Sequence, residues 1–125
     1  MKIRHALLAA CTLVIGSQML PVAEADDAAC DLTYTRTACP GQEAESFKKC
    51  DGKASCTKHV AAASEAACVQ AAIQACSNDR LEITKSKVIN AKYQGKALKT
   101  PSGKDDMCLD YPKRDVEFNQ CSKAK

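Results

Sequence analysis

Residues 49–56 read KCDGKASC, with Cys50 and Cys56 set around the Asp51-Gly52 pair. Structural zinc sites use cysteine pairs with roughly two to four residues between them, and thiol–disulfide oxidoreductases use two. Five intervene here, and no C-x-x-C or C-x-x-C-H occurs anywhere in the chain. Aspartate bonds readily to its own backbone and glycine accepts positive φ without steric cost, so Asp51-Gly52 marks a helix end or a turn. The stretch therefore reads as two structural cysteines flanking a chain reversal. It implies no metal and no cofactor.

Working outward, the segments on either side suggest helices. On the amino side, PGQEAESFKKC (40–50) starts with turn residues, places Glu43 and Glu45 early and ends on Lys48 and Lys49. That order complements a helix dipole. On the carboxyl side, residues 56–80 are rich in alanine, with Val60, Ala63, Ala67, Cys68, Ala71, Ala72, Ile73 and Cys76 recurring at helical intervals. Cys68 and Cys76 are eight residues apart, a net rotation of about 80° on a helix, so both fit one face. From Leu81 the period falls to two through Leu81, Ile83, Ile89, Ala91 and Tyr93, as in strands with one wet face. Gln94-Gly95-Lys96 offers a turn, TPSGKDD (100–106) a loop, and DVEFNQC (115–121) a last short strand. The expected architecture is α+β: a small disulfide-stabilised domain with a helical hairpin followed by a short antiparallel sheet.

Residues 1–25 have the form of a signal peptide: Lys2 and Arg4, an apolar run from Ala6 to Ile15, and Ala23-Glu24-Ala25 as the small-x-small cleavage pattern. The short basic start and compact apolar core are of the bacterial kind, which points to a periplasmic or secreted protein. The alternative reading of LAAC (8–11) is a lipoprotein box that makes Cys11 a lipid anchor. The apolar run is too short for a comfortable membrane span. Cleavage after Ala25 leaves a single domain, 26–125, and reduces nine cysteines to eight: Cys30, Cys39, Cys50, Cys56, Cys68, Cys76, Cys108 and Cys121. Four disulfides are expected, among 105 pairings between which sequence does not choose. With no tryptophan, three tyrosines and two phenylalanines, the core is thin, and bridges would supplement it.

Charge suggests where to look for binding. The whole chain is +3, but residues 79–104 hold seven basic residues against Asp79 and Glu82. Lys85, Lys87, Lys92, Lys96 and Lys104, with the loop carboxylates Asp105 and Asp106, are the candidate binding residues for a protein or an anionic envelope component. Lys85 and Lys87 share parity with Leu81 and Ile89, so a turn or bulge is needed if the lysines face water. Solvated strands and edge protection are the plainer explanation of such lysines. No nucleic-acid motif accompanies them.

Catalytic patterns are sparse. His59 is the only histidine after residue 25; Glu43 and Glu45 would point away from one another on a helix, and Asp105-Asp106 fit no EF-hand loop. The segment CDGKASC resembles the C-x-G-K-x-S-C stretch of the rhamnose-binding, sea-urchin-egg type galactose lectins. VINAKYQGK (88–96) is similar to a stretch near their amino end, although the order of the two is reversed and Gln94 and Gly95 replace a glycine and an arginine. The resemblance would imply sugar binding on a disulfide-bonded domain. The expected function is an exported noncatalytic interaction module acting at the envelope or outside the cell. An inhibitor of a secreted lysozyme or protease presenting TPSGKDDMC, a carbohydrate-binding module, and a small enzyme with an unrecognised site stay open.

Overall fold

The computed structural model describes residues 28–122; the leader, Cys11 and the cleavage site lie outside them. The described residues form an α+β fold with a four-stranded antiparallel sheet, three α-helical segments and four disulfides. The elements are β1 (Ala28–Ala38), α1 (Glu43–Ser46) followed by a 3-10 turn at Lys48–Cys50, β2 (Ser55–Ala62), α2 (Glu65–Gln74), β3 (Thr84–Tyr93), β4 (Lys96–Ala97), a 3-10 turn at Met107–Asp110, and α3 (Arg114–Glu117). Strand order is β2-β1-β3-β4. Among the described residues no helix is long and apolar enough to cross a membrane.

The expected class holds, but the sheet and helices interleave. The central strand β1 precedes all three helical segments. Its sequence, AACDLTYTRTA, sends Cys30, Leu32, Tyr34 and Arg36 to the inner face and Asp31, Thr33, Thr35 and Thr37 to the outer one, as the two-residue period requires. The helix expected from Cys56 onward divides. Residues 55–62 pair with β1 as β2, and the β-branched Thr57 and Val60 suit that environment. Only beyond Ser64, whose side chain accepts a hydrogen bond from Ala67 N as the N-cap, does the alanine-rich segment become helical. Residues 115–121 are likewise not a strand. Local bonds from Glu117 N to Lys113 O and from Phe118 N to Arg114 O close a helical turn, and Phe118 enters the core.

Other local expectations are met. Asp51 (φ 56°) and Gly52 (φ 87°) end the Lys48–Cys50 turn in left-handed conformations. Gln94 (φ 52°) and Gly95 (φ 84°) make the two-residue β3–β4 hairpin, whose positive φ at both positions matches the twist of the flanking strands. Cys68 and Cys76 are both fully buried, but the helix expected to carry both ends at Gln74, so Cys76 lies in the turn that follows it.

Helix α2 packs Cys68, Val69, Ala72 and Ile73 against the inner sheet face of Leu32, Ile89 and Ala91. The fully buried Ala72 has no bulk to hold the helix off the sheet. Met107, Cys108, Tyr111 and Phe118 complete the core from the C-terminal segment. Bridges Cys30–Cys68 and Cys76–Cys108 tie α2 to β1 and the turn just after α2 to that segment, Cys39–Cys121 ties the residue after β1 to the last described turn, and Cys50–Cys56 closes only its own loop.

Loop-closure entropy grows with the separation bridged. Replacing Cys50 and Cys56 together with alanine is expected to cost about 2 kcal/mol, and replacing Cys30 and Cys68, 38 residues apart, about 4 kcal/mol. Urea unfolding of the two double variants measures the difference.

Candidate functional site

The antiparallel pairing of β1 with β3 sets Arg36 directly opposite Lys87. A bulge accompanies it: Thr37 pairs with Ser86 and Ala38 with Thr84, leaving Lys85 unpaired between them. The bulge reverses the alternation, so Thr84 on one side of it and Ile89 on the other are both buried while Lys85 is exposed. The sequence pattern requires such an irregularity if Lys85 and Lys87 are both to face water, and the structure exposes Lys85 alone. It frees Lys85 but turns Lys87 inward, onto the parity of Ile89 and Ala91.

Two cations opposed across a sheet repel one another, and the pair ordinarily destabilises it. Arg36 is only 6% exposed. Among the described residues it makes no ion pair; its Nη1 donates to Cys50 Sγ at 3.0 Å, and its guanidinium lies 5.0 Å from the centre of the Tyr34 ring. Burial lowers its pKa from the ordinary arginine value. Lys87 Nζ donates to Ala75 O and Ser77 O just beyond the C-terminal end of α2, where the helix dipole favours a cation. Even so, burial, then Arg36 and Lys49, push the Lys87 ammonium down to about 8, with Asp79 and Glu117 acting weakly the other way.

These side chains enclose a small polar recess of about 20 Å³, lined by Arg36, Ser46, Lys49, Asn78, Asp79, Arg80, Thr84 and Lys87. That is room for about one water-sized group. The hydroxyls of buried Ser46 and Thr84 hydrogen-bond at 2.7 Å. Asn78 fixes the adjoining loop: its Nδ2 donates to Thr84 O and Glu117 O, and its Oδ1 accepts from Arg80 N. Arg80 has a long ion pair with Glu45, at 3.8 Å. Four cations and one carboxylate line this recess, which suits an anion.

The other candidates named from sequence are spread over different environments. Lys85 lines a cavity of about 460 Å³ over the Cys39–Cys121 bridge, beside Pro40, Gln42, Glu82 and Asn119. Its walls are mostly exposed and of mixed charge, with no buried ionic group. Lys92 stands on the outer sheet face opposite Asp31, which itself bonds His59 Nδ1. Lys96 pairs with Glu65 at 3.0 Å and Asp105 with Lys99 at 2.6 Å. Lys104 is exposed, and its backbone N–H donates to Thr100 Oγ1. Asp106 accepts from Ile89 N and Cys108 N, a task of scaffold. Only Lys87 of the set enters the recess. Arg36, Lys49 and Arg80 were not singled out from sequence, although Arg36 follows Leu32 and Tyr34 in the alternation TYTRT, which assigns it to the inner face.

Comparisons with protein-family models, with curated proteins and with solved structures return no match for this chain.

Two outcomes are expected. Between the Lys87 value near 8 and the ordinary 10.5, the unfolded chain holds a proton that the folded chain has released, so stability rises with pH across that window. The rise is about 1–3 kcal/mol; urea titrations from pH 7 to 9.5 should record its onset, and it should vanish in Lys87→Met. Asp106→Ala, which strands two backbone donors, is expected to lower stability by about 1–3 kcal/mol at neutral pH.

Proposed function

We propose that the chain is an exported, noncatalytic interaction module that grips an anionic group of an envelope component in the recess between α1, the start of β3 and the loop after α2. The observation that carries this reading is Arg36, a buried cation with no carboxylate partner among the described residues, opposed by Lys87 on the neighbouring strand. A buried charge is costly unless it is paired, and an oxyanion entering beside Lys49 and Arg80 would supply the missing counter-charge. With room for about one water-sized group, the recess admits a single oxygen of a terminal oxyanion, and its excess of cations favours a phosphate or sulfate over a singly charged carboxylate. The four disulfides support export, because such bridges persist in oxidising compartments.

Inorganic phosphate and sulfate, titrated against the folded protein with NMR or calorimetric detection, test the reading. Saturable binding is expected, weakening with added salt and lost in Arg36→Met and Lys87→Met, while Lys92→Glu on the outer face leaves it unchanged. Affinity should fall as pH rises through about 8, because an anion prefers the protonated Lys87; Arg36, Lys49, Arg80, Asp79 and Glu117 supply the surrounding field. Tighter binding of acetate or of an acidic peptide would redirect the reading to an acidic protein partner, and no saturable binding of any of these would end it.

A further inference from the structure

We propose that the Cys50–Cys56 bridge exchanges with reduced dithiols, with Cys56 as the sulfur attacked and Cys50 as the leaving thiolate. The reading of KCDGKASC as scaffold alone omitted what the fold brings to it. Arg36 comes from β1, 14 residues earlier, and its Nη1 lies 3.0 Å from Cys50 Sγ. A guanidinium so placed stabilises negative charge as it develops on that sulfur, and the better the leaving thiolate, the faster the exchange.

Access points the same way. Cys50 is 2% exposed, whereas Cys56 lies on the edge strand β2 and is partly exposed. All four sulfurs of Cys30–Cys68 and Cys76–Cys108 belong to residues that are 0% exposed. Cys121 is also partly exposed, but its partner Cys39 has no cation hydrogen-bonded to its sulfur among the described residues. The structural consequence of opening also differs. Cys50 and Cys56 are six residues apart, against 82 for Cys39 and Cys121. The intervening turn keeps its own bonds, from Gly52 N to Phe47 O and from Lys53 N to Cys50 O. The fold remains held by three long-range bridges, and the two sulfurs stay close enough to reunite.

The step balances with a dithiol as reductant. One donor thiolate attacks Cys56 Sγ; a donor–Cys56 disulfide forms as the Cys50–Cys56 bond breaks, and the electron pair leaves on Cys50 Sγ beside Arg36. The donor's second thiolate then attacks its own sulfur in the mixed disulfide and releases the Cys56 thiolate. The products are the oxidised donor and a reduced Cys50/Cys56 pair that takes its protons from solvent.

The test is kinetic mapping on the native, fully oxidised protein. Dithiothreitol is applied without denaturant, timed samples are alkylated, and each cysteine is scored by peptide mass spectrometry. Cys50 and Cys56 are expected to open at least about tenfold faster than the other six, and glutathione, a monothiol, should leave its adduct on Cys56. Arg36→Met should slow the opening about tenfold and move alkylation of reduced Cys50 to higher pH; Arg36→Lys should restore most of both. First opening of another bridge, an adduct on Cys50, or exchange in Arg36→Met at the unaltered rate would overturn the proposal. If Arg36→Met does not fold, the order of opening and the adduct position in the unaltered protein still decide it. Phosphate binding plays no part in these readouts, so the inference stands or falls apart from the recess reading.

Discussion

Strand β1 is pinned at both ends. Cys30 near its start is bonded to α2, and Cys39, just past its finish, is bonded to the last described turn. A strand slipped by one residue would turn every inward side chain outward, and these bridges, with β2 and β3 paired on either flank, deny it that freedom. The rest follows from that fixed register. Leu32 enters the core, the threonines face out, and Arg36 is held against Lys87. Core packing alone would select a weaker register here, since the thin inner face of β1 offers Leu32 as its one large, fully buried apolar side chain.

The opposition of Arg36 and Lys87 is the point at which local preference and fold disagree. Such disagreements are expected at functional positions, where stability is given up for something else. Lys87 recovers part of the loss through the carbonyls past α2, so a structural role accounts for that residue in part. No comparable role accounts for Arg36, whose hydrogen-bond acceptor is a neutral sulfur. Arg36 therefore carries more of the uncompensated cost than Lys87 does.

Much of this was legible in the sequence, and the failures have specific causes. The bonded state of the eight cysteines, though not their pairing, was legible from count and context, and the Asp51-Gly52 and Gln94-Gly95 turns and the strand through Ile89 rest on local chemistry that folding does not override. Residues 56–63 were misread because alanine favours helices strongly while its small side chain also fits a strand paired over eight positions. The better clue was Ser64, a helix N-cap placed where the alanines continue. Strand β1 escaped because threonine at alternate positions lacks the apolar contrast on which a period-two pattern depends. The lysines of 79–104 were legible as charge but not as a surface: one bulge at Lys85 decides which of them face solvent, and ion pairs to Glu65 and Asp105 occupy others. Most of the recess comes from residues distant in sequence, which a linear charge count does not bring together.

Arg36 joins the two proposals chemically. Its single positive charge can balance an oxyanion in the recess or a thiolate on Cys50, and each anion weakens its attraction for the other. A bound oxyanion would thus oppose departure of the Cys50 thiolate, and a reduced Cys50 would oppose entry of the oxyanion. By linkage, the shift that a bound oxyanion makes in the free energy of reducing the bridge equals the shift that reduction makes in the free energy of oxyanion binding. In the oxidised protein the bridge sulfur is neutral, so Arg36 keeps its full charge for the recess. An oxidising compartment, where disulfides persist, is then the setting in which the proposed recess would attract an anion most strongly.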